Sequence, residues 1–192
     1  MKNIVVLFLI GISLFGCQKK TETNVDAVTQ VVQDSLIRTI HAKWKFKVAI
    51  ANATVSTKLS NWEAWRNYVN ELTIVPNPSL SALKHKAGNL VEKTAVLRTS
   101  IPEFYNKQEA KARVSLLETN IQNLDMQLEL EPMHLKEILR LLEAIQKNTN
   151  SLIYQFEEFE VKAKIPKEVG EDQLRQPLDT IKRATLNAIL QE

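Results

Sequence analysis

Residues 110–163 read AKARVSLLETNIQNLDMQLELEPMHLKEILRLLEAIQKNTNSLIYQFEEFEVKA. Apolar side chains recur there at every third or fourth position. Ala110, Val114, Leu117, Ile121, Leu124 and Leu128 form one seam. Leu135, Ile138, Leu142, Ile145, Thr149, Leu152, Phe156, Phe159 and Ala163 form a second. That period is α-helical and places each set on one face. Pro132 divides the two seams. It lacks an amide proton and its ring crowds the preceding turn, so it ends or kinks a helix. A tight antiparallel hairpin is the expectation, with a single kinked helix as the alternative. The second helix, Pro132 to Ile165, covers about 34 residues, roughly 50 Å at the usual helical rise.

The same period extends outward from this hairpin. Toward the N-terminus, Pro76-Asn77-Pro78 breaks the chain, and Ser79 is placed to cap a helix through Leu80, Leu83, Ala87, Leu90, Val91, Thr94 and Leu97. Thr99-Ser100-Ile101-Pro102 stops it. Ser60 and Glu63 have capping-box spacing and predict a short helix with Trp62, Trp65, Val69 and Leu72 on one face. Further back, Val25, Val28, Val32, Leu36, Ile40, Phe46, Ile50 and Ala53 predict one long helix from Asp26 to Leu59, with Lys43 interrupting its stripe. The apolar phase slips so little near Ser60 that the short helix could also continue this one. Beyond Pro166, a loop over 167–176 leads to a last helix with Leu178, Ile181, Thr185, Leu186 and Ile189 on its face.

Only Gly88 and Gly170 of the 4 glycines lie beyond residue 17, which disfavours β-hairpins, whose turns need positive φ. The predicted class is all-α: an elongated antiparallel helical bundle with coiled-coil-like long helices, forming one domain over residues 25–192.

The first residues have a different character. Lys2 precedes an uncharged run from Ile4 to Phe15, too short for a membrane span of about 20 residues but suited to a signal sequence. The run ends in Leu14-Phe15-Gly16-Cys17 and gives way to Gln18-Lys19-Lys20-Thr21-Glu22. Gly16, Cys17 and Leu14 resemble the lipobox of bacterial lipoproteins, although Phe15 is bulkier than the residue usual there. The resemblance covers about 20 residues. It implies that residues 1–16 are a signal peptide and that Cys17 is the lipidated N-terminus. Residues 17–24 would form a tether. A single acyl chain holds a protein to a membrane only marginally, whereas two or three anchor it. Gln18 stands where an aspartate would imply inner-membrane retention, which implies the outer membrane, facing the periplasm.

Cys17 is the only cysteine, so its acylation leaves no thiol for a disulfide, a redox pair or a thiolate metal site. Removing Lys2 leaves 24 basic against 22 acidic residues, net +2, too even for the dense basic stripe of a nucleic-acid binder. No phosphate loop, nucleophile elbow or zinc-protease motif is present, so neither an enzyme nor a cofactor is predicted.

The remaining candidates are weighed against structural roles. Glu131 and His134 have the Glu-x-x-His spacing of di-iron bundles, but a di-iron site needs a second copy and two more glutamates, so no metal is predicted. His41 and His85, beside lysines, read as surface residues. Trp44 and Phe46 alternate with Lys43, Lys45 and Lys47; the expectation is Phe46 in the core, Trp44 at its rim, and lysine stems lying over apolar surface. Glu157, Glu158 and Glu160 read as a solvated face pairing with Lys162 and Lys164. Trp62, Trp65, Arg66 and Tyr68 are the candidate binding residues, because such side chains dominate binding hot spots; their three-residue spacing also suits a core.

The expected function is that of a lipid-anchored envelope lipoprotein, held to the membrane by its N-terminal lipid and acting on a protein partner. The alternatives are a periplasmic small-ligand or metal-binding bundle, and a homo-oligomer built through the Pro132–Ile165 helix.

Overall fold

The computed structural model describes residues 22–166, with side chains from Thr29 onward. Among these residues there are six α-helices and no strand: α1 (Glu22–Lys43), α2 (Ala53–Asn61), α3 (Glu63–Thr73), α4 (Leu80–Thr99), α5 (Gln108–Glu129) and α6 (Leu135–Lys164). A 3-10 turn, Glu103–Tyr105, links α4 to α5. The chain is an all-α bundle. The signal sequence and the predicted helix beyond residue 176 lie outside the described residues.

The α5–α6 hairpin is its frame. Ala110, Val114, Leu117, Ile121 and Leu124 are fully buried and Leu128 nearly so. They face Ile138, Ile145, Thr149, Leu152 and Phe156 on α6, whose seam is buried as far as Phe159. Leu135 is only half-buried, and Ala163, predicted to belong to the seam, is exposed. Pro132 lies in the turn before α6 and not in its first helical turn: His134 is the N-cap. The hairpin is stitched on one side by Arg113, whose guanidinium donates to Gln155 Oε1 (2.9 Å) and Ser151 Oγ (2.5 Å).

α4 packs antiparallel to α5, with Lys84–Glu129 (2.7 Å) at one end and Arg98–Glu118 (3.0 Å) at the other. Ser79 caps α4 by accepting from the Ala82 amide, as its position after Pro78 predicts. α3 runs back along α6, placing Trp62 near Phe156 and Tyr68 near Thr149.

The long helix predicted from Asp26 to Leu59 does not form. α1 begins at Glu22, inside the stretch read as tether, and ends at Lys43; residues 44–52 have no regular secondary structure. The reason is a period of two. Trp44, Phe46 and Val48 alternate with Lys45 and Lys47, and a helix would scatter both sets around its circumference. An extended chain also covers more than twice the length per residue of a helix. α1, this strap and α2 therefore run parallel to nearly the whole of α6. Trp44 is fully buried, with its indole donating to Leu72 O (3.3 Å), while Phe46 is half-buried. The expected roles of the two aromatics are thus exchanged; Lys43, Lys45 and Lys47 are exposed.

Asn52 closes the strap and caps α2, its side chain accepting from the Val55 amide (3.0 Å). The capping box of Ser60 and Glu63 does not form. Ser60 sits inside α2 and donates to Thr57 O (2.7 Å), and Trp62, which has no side-chain cap bond, separates α2 from α3. Tertiary contact sets that break: the Trp62 ring packs on Trp65 and Phe156, and its indole N–H donates to Ser100 Oγ (3.1 Å).

Candidate functional site

The candidate binding residues Trp62, Trp65 and Tyr68 are brought together, but as core. All three are buried, at 6%, 6% and 0% exposure, and their rings pack in sequence at 6.1 and 5.9 Å between centroids. Phe156 abuts both tryptophans and stacks on Tyr105 at 4.4 Å. The Tyr68 hydroxyl shares a hydrogen bond with Thr149 Oγ1 (2.7 Å), and burial raises its pKa above the ordinary tyrosine value. The four residues therefore present no exposed aromatic platform. Arg66 alone is exposed, and it donates to the Ser60 carbonyl at the C-terminal end of α2.

The acidic run on α6 is not a uniformly solvated face either. Glu158 is exposed and pairs with Lys162 as expected (2.5 Å). Glu160 is buried at 7% exposure, where Oε1 takes an ion pair from Lys58 (2.5 Å) and a hydrogen bond from the Tyr105 hydroxyl (2.9 Å). Burial alone would raise its pKa, but the bonds from Lys58 and Tyr105 outweigh that and hold it below the ordinary carboxylate value. Tyr105 moves the opposite way, its pKa raised by burial and by its bond to Glu160. Lys58 also lies 3.7 Å over the Phe104 ring. This node joins α2, the 3-10 turn and α6 through one buried carboxylate.

Glu157 belongs to a second arrangement that sequence reasoning missed. Along α6, Gln146, Asn150 and Glu157 replace a neighbouring strand for the strap. Gln146 accepts from the Lys47 amide and donates to the Lys47 carbonyl, both at 2.6 Å. Asn150 accepts from the Ala49 amide (2.9 Å), and Glu157 from the Asn52 amide (2.7 Å). Two strap residues advance roughly 6.6 Å and four helical residues roughly 6 Å, so residues 47 and 49 match positions 146 and 150. The readable signal was a pair of amides four apart, one step off a buried seam.

A groove of ≈ 470 Å³ runs between the strap, α2 and α3. Leu59, Trp65, Val69 and Ile153 make its apolar walls, Ile50 stands at its rim, and Arg66 lies on one flank. A second cleft, ≈ 300 Å³, opens where Val32 and Leu36 of α1 face Leu80, Leu128 and Met133.

Glu131 and His134 are both exposed, and among the described residues no group of three or more His, Cys, Asp or Glu gathers to hold a metal ion. His85 is exposed and His41 half-buried. No helix among the described residues is long and apolar enough to cross a membrane. Cys17 lies outside the described residues. No family model matches this sequence, and no curated protein or solved structure matches it significantly.

Proposed function

We propose that this chain is a lipid-anchored lipoprotein of the bacterial envelope that acts through protein contacts, not catalysis. The carrying observation is the Leu14-Phe15-Gly16-Cys17 motif, which ends an uncharged run and contains the only thiol of the chain. Acylated at Cys17, the protein sits on the outer membrane facing the periplasm. Tethering confines it to one surface and raises its effective concentration for partners there. The bundle suits such work. α1 starts close behind Cys17, and one continuous core from α1 to α6 makes a rigid body for the anchor to carry.

Substituting Cys17→Ser and feeding labelled palmitate tests the reading. The expected result is loss of label together with release from membranes; a variant that still incorporates label refutes it.

A second reading, a small-ligand binder, draws on the apolar cleft beside Met133, whose ≈ 300 Å³ lies at the lower end of ligand-pocket volumes. Leu36→Trp would fill that cleft, and ligand uptake that survives the substitution removes this reading.

A further inference from the structure

The inner side of α6 is its buried seam, and both flanks are occupied. Gln146, Asn150 and Glu157 hold the strap on one flank. Ser151 and Gln155 take Arg113 of α5 on the other. Between the flanks, opposite the seam, Lys147, Tyr154, Glu158, Val161 and finally Ile165 follow one another at helical spacing. Tyr154, Val161 and Ile165 are 58%, 59% and 63% exposed, an apolar stripe that nothing covers among the described residues. Lys147 has no carboxylate partner there either.

The chain itself supplies a cover. Ile165 caps α6 in an extended conformation and Pro166 cannot continue a helix, so the chain turns at the end of the stripe. In the sequence that follows, Leu178, Ile181, Thr185, Leu186 and Ile189 share one helical face. A helix as short as residues 178–192 is marginal alone in water and needs a surface on which to bury that face. Residues 167–176 are a longer connection than the roughly two to eight residues that join packed helices, so a return along α6 is within reach.

One antiparallel register matches both patterns. With Leu178 opposite Val161, Lys182 falls opposite Glu158, Leu186 opposite Tyr154 and Glu192 opposite Lys147. Stretches 147–161 and 178–192 have equal length, roughly 21 Å as helices. Glu158 already accepts from Lys162 on Oε1 and from Gln155 on Oε2, but each carboxylate oxygen has a further lone pair for Lys182. A parallel alignment can also set Lys182 against Glu158. It leaves Lys147 unmatched and makes the connection double back along α6.

From these observations we infer that the outer face of α6 is the docking surface for the chain's own residues 178–192, laid antiparallel upon it. The cover closes in cis the face through which a homo-oligomer built on α6 would pair. This goes beyond the anchoring function and does not depend on the lipid.

Thiol pairs test the register in the full chain carrying Cys17→Ser, which removes the only native thiol. Val161→Cys with Leu178→Cys, and Tyr154→Cys with Leu186→Cys, should each form an intramolecular disulfide under mild oxidation, because packed helices bring facing positions close enough. Tyr154→Cys with Leu178→Cys, matched only in the parallel alignment, should oxidise at least about tenfold more slowly. Lys147→Glu should slow the Tyr154→Cys/Leu186→Cys pair, and adding Glu192→Lys should restore it. Positions 154 and 161 are exposed, so circular dichroism of the reduced variants should match the parent. Equal rates for all three pairs, a faster parallel pair, or no disulfide in the two antiparallel pairs overturns the proposal. Failure of the charge exchange to restore the rate overturns the register on which it stands. Disulfides formed between chains would assign the face to a second copy and overturn it as well. Palmitate labelling is read on the native Cys17, so the anchor stands or falls separately.

Discussion

The α5–α6 hairpin and the strap ahead of α2 both lie against α6, yet they are held by different forces. Across the hairpin, Val114, Leu117, Ile121 and Leu124 meet Ile138, Ile145 and Leu152, and every one of these side chains is fully buried. Cohesion there comes from apolar area, which is non-directional and spread over many residues. The strap buries Trp44 but leaves most of its length half-buried or exposed, and side chains of α6 fix its backbone at three points. A seam tolerates small shifts and loses stability by degrees. A hydrogen-bonded strap has discrete attachments, each of which can be removed singly and measured.

The largest expected effect tests whether the aromatic cluster belongs to the hairpin's core. Phe156 is fully buried and touches Trp62, Trp65 and Tyr105. Phe156→Ala should cost about 3–5 kcal/mol in urea unfolding by leaving a cavity where α2, α3 and the hairpin converge. A loss below about 1 kcal/mol would mean that these elements are docked loosely.

Glu160 is next. Glu160→Ala leaves the buried Tyr105 hydroxyl without its acceptor, at about 1–3 kcal/mol, whereas Lys58, 39% exposed, returns to water. The pH dependence has a definite sign. The folded carboxyl titrates below its ordinary 4.5, so its contribution is complete above that pH and is lost as pH falls through the depressed value. The stability gap between wild type and Glu160→Gln should accordingly be full at neutral pH and narrow in acid. A gap that widens in acid would reverse the assignment.

A smaller, local effect separates strap from hairpin directly. Asn150→Ala removes the acceptor for the Ala49 amide and should cost about 1 kcal/mol. Amide exchange at Ala49 and Lys47 should accelerate, while amides of α5 and the facing turns of α6 keep their protection. Uniform acceleration would show that strap and hairpin open as one unit. The smallest contrast concerns caps: Asn52→Ala should cost about 1 kcal/mol, and Ser60→Ala within about 0.5 kcal/mol, by thermal melting.

That last pair shows where sequence was informative. Ser60 and Glu63 carry a helix-start pattern, but the Trp62 ring, held by Ser100 and Phe156, sets the break two residues later. Asn52 was as readable a cap, three residues before Val55, yet a single apolar stripe drawn through Phe46, Ile50 and Ala53 concealed it. The same stripe hid the alternation from Trp44 to Val48, because three- and four-residue steps can be drawn through a short period-two run. The hairpin seams were legible because their period is sustained over many turns. Glu160 was not, since Tyr105 and Lys58 lie 55 and 102 residues away and only the folded chain assembles them. Arg66 and Trp65, both named from sequence, do line one groove, but Trp62 and Tyr68 lie in the core behind it.

Because α1, the strap and α2 run parallel to α6, the middle of α1, from Thr29 to Leu36, lies beside the turn that opens α6, and α2 lies beside its last turns. Force applied between the head of α1 and the tail of α6 would therefore slide these elements past one another instead of peeling them apart. The contacts of Gln146, Asn150 and Glu157 would share the load at once, as rungs strained together and not as teeth of a zip. A body built this way resists tension along its axis far better than tension across it.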